Sequence, residues 1–122
     1  MGCEVARFGI VKDSYERFCE YLAQAIATCQ LVVISGGSSV GAKDFTVPAL
    51  QAIAKPGLLF HGLAIKPGKP FAFGKLSSSW FCGLPGNPVS AALTFYQLAI
   101  PLLAKLSGNS ASPLPERQRV RA

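Results

Sequence analysis

The chain has 122 residues, half of them hydrophobic and 15% charged, which suits one folded domain and excludes an intrinsically disordered chain. Twelve Lys and Arg residues against six Asp and Glu residues give a net charge of +6, which suits an anionic partner. The sequence has no uninterrupted apolar run of about 18 residues and no helix-turn-helix, zinc-finger or aromatic RNA-binding motif. We therefore expect neither a membrane span nor a nucleic acid as partner.

The first half of the chain predicts alternating strands and helices. Residues 4–11 predict a strand, and residues 15–28 predict a helix because apolar residues recur there at helical spacing. Leu31–Ile34 is a continuous apolar run, typical of a strand buried on both faces. The Gly- and Ser-rich residues 35–41 predict a loop, and residues 44–54 predict a second helix.

The second half predicts a strand, a hairpin and a long helix. Residues 58–65 predict the strand, and the apolar runs 71–76 and 80–82, separated by three serines, predict the hairpin. Residues 89–106 predict the helix, and we expect Pro101 to kink or split it because proline has no backbone N–H.

This order of elements is typical of an α/β fold with a parallel-dominated sheet and helices on both faces, here with a β-hairpin. Such sheets bind ligands at the carboxyl ends of their strands. Four predicted loops lie at strand ends, so we expect them to form one pocket; they are residues 12–13, 35–44, 66–70 and 85–90. Three strands and a hairpin make a thin sheet, so we expect a further strand–helix unit before residue 1.

Two lysines and two Pro/Gly-rich turns indicate that this pocket holds an anion. Lys66 and Lys69 lie in one turn and supply point charges suited to phosphate. The second turn ends in Asn87 and Pro88, which are favoured at the start of a helix. Free N–H groups at that helix start are expected to attract a negative group.

The four cysteines, at positions 3, 19, 29 and 82, form no CxxC pair and no zinc-binding spacing. We predict buried or half-buried free thiols, the usual state in a reducing cytoplasm. The first residues carry no basic segment leading into an apolar core, so no signal peptide is predicted.

Five segments resemble the molybdopterin-binding domain of the molybdopterin molybdenumtransferases, the MoeA and gephyrin family. They are Gly9–Asp13, Ser35–Gly41, Asp44–Thr46, Ile65–Pro70 and Leu84–Ser90. The lysine-containing segment and the Pro-Gly-Asn-Pro segment, in this order and spacing, are the specific part. The resemblance implies the molybdopterin-binding fold, N-terminally truncated, over residues 1–108. It implies that residues 109–122 are a linker toward an absent C-terminal β-domain.

The family's reaction, as the resemblance implies, inserts molybdate into adenylylated molybdopterin and releases AMP, with Mg²⁺ as cofactor. Asp13, Asp44 and Lys66 are the implied catalytic residues, and the two aspartates are also the implied metal ligands. Each aspartate also fits the simpler role of a helix N-cap. The implied pterin-binding residues are Ser35, Gly36, Gly37, Ser38, Ser39, Lys69, Pro85, Gly86, Asn87, Pro88 and Ser90.

Three interpretations stay open for a chain that resembles only part of such an enzyme. The first is the molybdenum-inserting activity in the intact enzyme. The second is a non-catalytic molybdopterin-binding or scaffold module, and the third is an inactive truncated remnant. The resemblance also implies a homodimer in the cytoplasm, with a molybdopterin adenylyltransferase and molybdoenzymes as partners.

Overall fold

The computed structural model describes residues 2–11, 14–36, 46–53, 56–66 and 69–109. The first five elements are α1 (Tyr15–Thr28), β1 (Leu31–Ser35), α2 (Thr46–Ile53), β2 (Pro56–His61) and β3 (Ala72–Leu76). They are followed by β4 (Ser79–Leu84), α3 (Pro88–Thr94), a π-helical turn (Phe95–Ala99) and α4 (Ile100–Leu106). The predicted helix over residues 15–28 and the predicted hairpin are confirmed, and β2 begins and ends two to four residues earlier than predicted. Residues 44, 45 and 54 of the second predicted helix lie outside the described residues.

The four described strands form one sheet in the order β1-β4-β3-β2. β1 runs parallel to β4, whereas β3 runs antiparallel to both β4 and β2. Three of the four strands therefore point in one direction, although β1 with β4 is the one parallel pairing among the described strands. The predicted α/β class, with helices on both faces and a hairpin, is confirmed.

One face of the sheet packs against α1 and α2. Phe81 and Leu76 from the sheet are fully buried there, together with Leu22 of α1 and Leu50 of α2. Burying side chains of this size contributes roughly 1.5–3 kcal/mol each relative to leaving them exposed. This first core fixes both helices on the sheet.

The opposite face packs against the helical segment from α3 to α4. Cys82 and Leu84 of β4 are buried there against Ala91 and Ala99. Alanine at these two positions lets the helix backbone lie close to the strand. Because β4 lies beneath this helical segment, these contacts fix the position of the segment on the sheet.

The predicted strand over residues 4–11 is wrong. Residues 2–11 form no strand in the structure, and Gly9 has a φ of +80°, which interrupts an extended chain. Val5 is 74% exposed and Ile10 is 91% exposed, while Phe8 packs against the first core. None of the four described strands pairs with this segment.

β1 is not buried on both faces, contrary to the prediction. Val32 is buried against the first core, but Val33 is 39% exposed on the other face. β1 is the last strand of the described sheet. The helical segment from α3 to α4 lies over β4 and covers β1 only in part.

Pro101 does not break the helix. The helix continues from α3 through the π-helical turn into α4, and the Ile100 N–H donates to the Phe95 carbonyl, five residues back. Because Pro101 cannot donate to the carbonyl of Gln97, the widened turn just before it accommodates the missing hydrogen bond.

Among the residues that the structure describes, one helical segment, Pro88–Leu106, is long and apolar enough to cross a bilayer by length and composition alone. This is weak evidence for a membrane span. In the fold, Ala91 and Ala99 of the same segment pack against the sheet, which is the role of a cover helix.

Ser79 joins the end of α1 to the start of β4. Its buried hydroxyl lies 2.8 Å from the Ile26 carbonyl oxygen and 2.6 Å from the Cys29 carbonyl oxygen, and the two carbonyls share its single proton. We expect Ser79→Ala to lower the free energy of unfolding by about 1–3 kcal/mol, because two carbonyls are left without that donor. Urea denaturation measures the loss. Ser78→Ala, at the exposed neighbouring position, should change it by less than about 0.5 kcal/mol.

The four cysteines form no disulfide bond with one another, and their exposure differs. Cys82 is buried and Cys19 and Cys29 are half-buried, as predicted, but Cys3 is exposed, contrary to the prediction. Burial raises the pKa of the Cys82 thiol from 9.0 to about 12. In the folded chain at pH 8, we therefore expect a thiol reagent to modify Cys3 rapidly and Cys82 only after denaturation.

The same shift predicts a loss of stability at alkaline pH. Above pH 9 the unfolded chain releases the Cys82 proton, while the folded chain keeps it up to a pKa of about 12. The unfolded state then binds fewer protons, so stability falls across this window, by at most about 1.4 kcal/mol per pH unit. Cys82→Ala should show a shallower decline in urea denaturation, and equal slopes would contradict the prediction.

Candidate functional site

The carboxyl ends of three strands meet at one edge of the sheet. Ser35 at the end of β1 lies in register with Leu84 at the end of β4. Ala72, the first residue of β3, pairs with both Gly83 of β4 and His61 at the end of β2. The segments that follow β1, β2 and β4 therefore all leave the sheet at this edge, which we call the site edge.

Two of these segments touch. The Gly36 N–H donates to the Leu84 carbonyl oxygen over 3.2 Å. A Cβ atom placed on Gly86 would lie 3.9 Å from the Gly36 Cα atom, which is van der Waals contact. Gly36 has a φ of +88°, in the left-handed region that glycine adopts without strain. The structure thus brings the predicted binding residues after β1 and β4 together.

Asn87 caps the helix that begins at this edge. Its side-chain oxygen Oδ1 accepts from the backbone N–H of Val89 at 3.0 Å and of Ser90 at 3.1 Å, and its backbone carbonyl accepts from Ala91. Pro88 has no N–H. The expectation of free N–H groups at this helix start is therefore wrong, because Asn87 satisfies them. What remains for an anion is the positive end of the helix dipole.

The lysine turn lies at the same edge, beyond β3. The Leu63 N–H donates to the Lys69 carbonyl oxygen and the Gly62 N–H to the Phe71 carbonyl oxygen, each at 2.8 Å. These two bonds close the connection from β2 to β3. The side chains of Lys66 and Lys69 are exposed. β2 and β1 are at opposite ends of the strand order. The two lysines therefore lie at the β2 end of the site edge, and Ser35 lies at the β1 end.

The remaining predicted site residues lie outside the described residues. They are Asp13, Gly37, Ser38, Ser39 and Asp44. Within the described part of the chain, no group of three or more His, Cys, Asp or Glu side chains could hold a metal ion. The predicted Mg²⁺ site therefore stays a prediction on Asp13 and Asp44.

A cavity of about 690 Å³ adjoins the β1 side of the site edge. Residues 6–11 line one side, β1 with Gly36 lines another, and α1 contributes Phe18, Leu22 and Ala25. Arg7 is a basic residue of this lining that the sequence pattern did not single out, since a lone arginine in an apparent strand carries no motif. Its place in the lining does not follow from the sequence pattern, because residues 4–11 do not form the predicted strand.

The sequence profile of the family described as "Probable molybdopterin binding domain" matches residues 1–105. The chain belongs to this family. A molybdopterin molybdenumtransferase of Haemophilus influenzae is 53% identical over 106 residues, which are 87% of this chain and 26% of that protein. The molybdenum cofactor synthesis protein cinnamon of Drosophila melanogaster is 38% identical over 101 residues, 81% of this chain and 16% of that protein.

The fold comparison agrees with the sequence comparison. The crystal structure of the molybdopterin biosynthesis MoeA protein from Pyrococcus horikosii superposes with a TM-score of 0.69 at 32% identity. The match covers 81% of this chain and 24% of that one. The resemblance drawn from the loop segments is therefore confirmed, and this molybdopterin-binding domain spans about a quarter of the length of that structure.

Removing the Asn87 cap tests how the site edge of this molybdopterin-binding domain is held. We expect Asn87→Ala to lower the free energy of unfolding by about 1 kcal/mol, because the Val89 and Ser90 N–H groups lose their acceptor. Urea denaturation followed by circular dichroism measures the change. Asn87→Asp keeps an acceptor at the same position and should retain the stability of the native protein. A loss of equal size in both variants would contradict the capping role.

Proposed function

We propose that the chain provides the pterin-binding surface of a molybdenum-inserting enzyme of molybdenum cofactor biosynthesis. The reaction is insertion of molybdate into adenylylated molybdopterin with release of AMP, carried out in the intact enzyme. The observation that supports it most is the contact between the loops after β1 and β4 at one edge, through Gly36 and Leu84. The name molybdopterin molybdenumtransferase carried by the Haemophilus influenzae relative points to the same chemistry.

The two lysines supply the charge in this proposal. Lys66 and Lys69 are exposed on a turn closed by backbone hydrogen bonds, and they neutralise phosphate and molybdate oxygens. Lysine is a compact ammonium suited to this task. Catalysis is then positioning and electrostatic stabilisation, with no covalent protein intermediate.

The loops on either side shape the pterin pocket. Ser35 offers an exposed hydroxyl at the end of β1, and Gly36 and Gly86 let a ligand approach the backbone because neither carries a side chain. Pro85, Pro88 and Ser90 form the wall of the pocket in this proposal. Gly37, Ser38 and Ser39 extend the same loop in this proposal.

Asp13 and Asp44 are the proposed ligands of Mg²⁺ and the proposed carboxylates beside the substrate. Carboxylate oxygens suit this hard cation, which keeps several waters when bound.

The proposed setting is a cytoplasmic homodimer that works with a molybdopterin adenylyltransferase and with molybdoenzymes. Exposed apolar side chains on the helical segment from α3 to α4 support a protein partner there, since they lie on the solvent side of that segment. They are Val89, Leu93 and Tyr96. Residues 109–122 are proposed as the link to a C-terminal β-domain.

Lys66 gives the sharpest test of the proposal. We expect Lys66→Ala to weaken binding of adenylylated molybdopterin about 10- to 100-fold, the effect of losing one charge-assisted hydrogen bond of about 1.5–3 kcal/mol. Lys66→Arg should restore part of the affinity. Isothermal titration calorimetry with adenylylated molybdopterin measures the affinity of both variants.

The control is Lys75→Ala. The Lys75 ammonium lies 4.3 Å from the centre of the Trp80 ring, and Lys75 pairs with the first half of β4, away from the site edge. Lys75→Ala lowers the net charge by the same amount as Lys66→Ala, and it should leave the affinity for the pterin unchanged. Equal weakening by both variants would show a general charge effect and contradict the proposed role of Lys66.

The alternative function is a pterin-binding module without catalysis, and an activity assay separates it from the enzyme. The chain is incubated with adenylylated molybdopterin, Mg²⁺ and molybdate, and AMP release is followed. Release supports the enzyme, and binding without release that persists in the intact protein containing this chain supports the module. If the folded chain neither binds nor releases, both functions are rejected and the inactive remnant is left.

A further inference from the structure

His61 is the single histidine of the chain, and it lies at the site edge. It ends β2 and pairs with Ala72 at the start of β3, and Ala72 pairs in turn with Gly83 near the end of β4. Because directly paired residues of neighbouring strands point to the same face, the imidazole lies on the face of Ala72, which belongs to the first core. The His61 side chain is exposed there, so a ligand at the site edge can reach it.

The backbone turns directly after His61 into the segment that carries the two lysines. Gly62 has a φ of +94°, in the left-handed region, and its N–H donates to the Phe71 carbonyl oxygen. The Leu63 N–H donates to the Lys69 carbonyl oxygen, and a Cβ atom placed on Gly62 would lie 3.6 Å from that oxygen. The base of the lysine turn is therefore held against the residue that follows His61. One imidazole and two long, flexible ammonium side chains leave the backbone from this short segment.

The elements around these three side chains carry no acidic residue. The sequence has no Asp or Glu between Asp44 and Glu116, and β2, β3, β4 and the helical segment from α3 to α4 all lie in that interval. α2, which contacts β2, has no titratable side chain over Thr46–Ile53. The charged residue of β3 is Lys75, whose ammonium lies over the Trp80 ring. Asp44, just before α2, lies outside the described residues. The charge that the elements packed against β2 present is therefore basic, which suits an anionic ligand.

We propose that His61, in its protonated form, is a third cationic contact for the tetrahedral oxyanion that Lys66 and Lys69 bind. The inference rests on the proposed function for the source of that oxyanion, which is either molybdate or the phosphate of the pterin. An imidazole takes up its proton between about pH 8 and about pH 5, whereas lysine keeps its charge throughout this range. The lysines therefore give binding at every pH in this range, and His61 makes the binding tighter as the pH falls.

A pH titration of the full chain by NMR tests the proposal, because proton binding and anion binding at one site must affect each other equally. The probe is sodium sulfate, a tetrahedral dianion whose charge stays constant in this pH range. The ring protons of His61 report its protonation, and the amides of Gly62 and Lys66 report sulfate binding. Saturating sulfate should raise the midpoint of the imidazole titration by about one pH unit, which corresponds to about tenfold tighter binding to the protonated form. Sodium chloride at the same ionic strength controls for screening.

Variants of His61 separate its charge from a role in folding. The sulfate affinity of the native protein should rise about tenfold from about pH 8 to about pH 5.5, the effect of one added charge-assisted hydrogen bond. His61→Gln keeps a polar side chain without the charge, so its affinity should not change with pH. His61→Lys is charged throughout and should bind sulfate tightly at both pH values. Lys75→Ala should keep the pH dependence of the native protein, and circular dichroism checks that each variant is folded.

Competition against bound sulfate identifies the source of the oxyanion. Molybdate and adenylylated molybdopterin are added separately to the sulfate-loaded chain at about pH 5.5. Displacement by molybdate assigns the position to the molybdenum oxyanion, and displacement by the pterin assigns it to a phosphate group, and either result supports the proposal. Displacement by neither overturns it.

Three further results would overturn the proposal. The first is an imidazole midpoint that sulfate leaves unchanged, which would assign the His61 side chain to contacts within the protein. The second is a folded His61→Gln variant that keeps the native pH dependence of sulfate binding. The third is sulfate that binds at no pH. Each of these leaves the proposed function to its own test, the pterin affinity of Lys66→Ala, so a failure of this inference is distinguishable from a failure of the proposed function.

Discussion

The parallel pairing of β1 with β4 is the constraint on which the rest of the structure depends. It sets Ser35 opposite Leu84, so the loops that follow the two strands leave the sheet side by side. The Gly36 N–H to Leu84 carbonyl bond then extends the ladder by one residue into the loops. Without this register, the glycine-rich segment after β1 and the Pro-Gly-Asn-Pro segment after β4 would have no reason to touch.

β4 also organises the two cores. Phe81 points to the face covered by α1 and α2, and Cys82 points to the face covered by the long helix, as alternation along a strand requires. Ser79, at the start of the same strand, holds the end of α1. The strand that carries the site loop is therefore fixed at its start, on both faces and on both edges, which keeps the positions of Pro85 and Gly86 well defined. Such preorganisation lowers the entropy that a ligand must lose on binding.

Local sequence determines one part of the candidate site, and the pairing of strands in the sheet determines the position of the other part. Asn87 and Pro88 mark a helix start from sequence alone, since both residues are favoured there for known reasons. In the structure the Asn87 side chain accepts from two N–H groups at that start, which leaves the lysines as the cationic groups for an anion. The lysine turn and the glycine loop come to one edge only because β3 reverses the chain between β2 and β4.

The sequence by itself determined the helix over residues 15–28, the hairpin, the α/β class and membership of the molybdopterin-binding family. Each of these follows from periodicity, turn residues or short segments, which are local properties of the chain. Tertiary structure alone decided that residues 4–11 form no strand and that Val33 is exposed. The physical reason is that a strand exists through hydrogen bonds to a neighbour, and an apolar pattern does not say whether that neighbour is present.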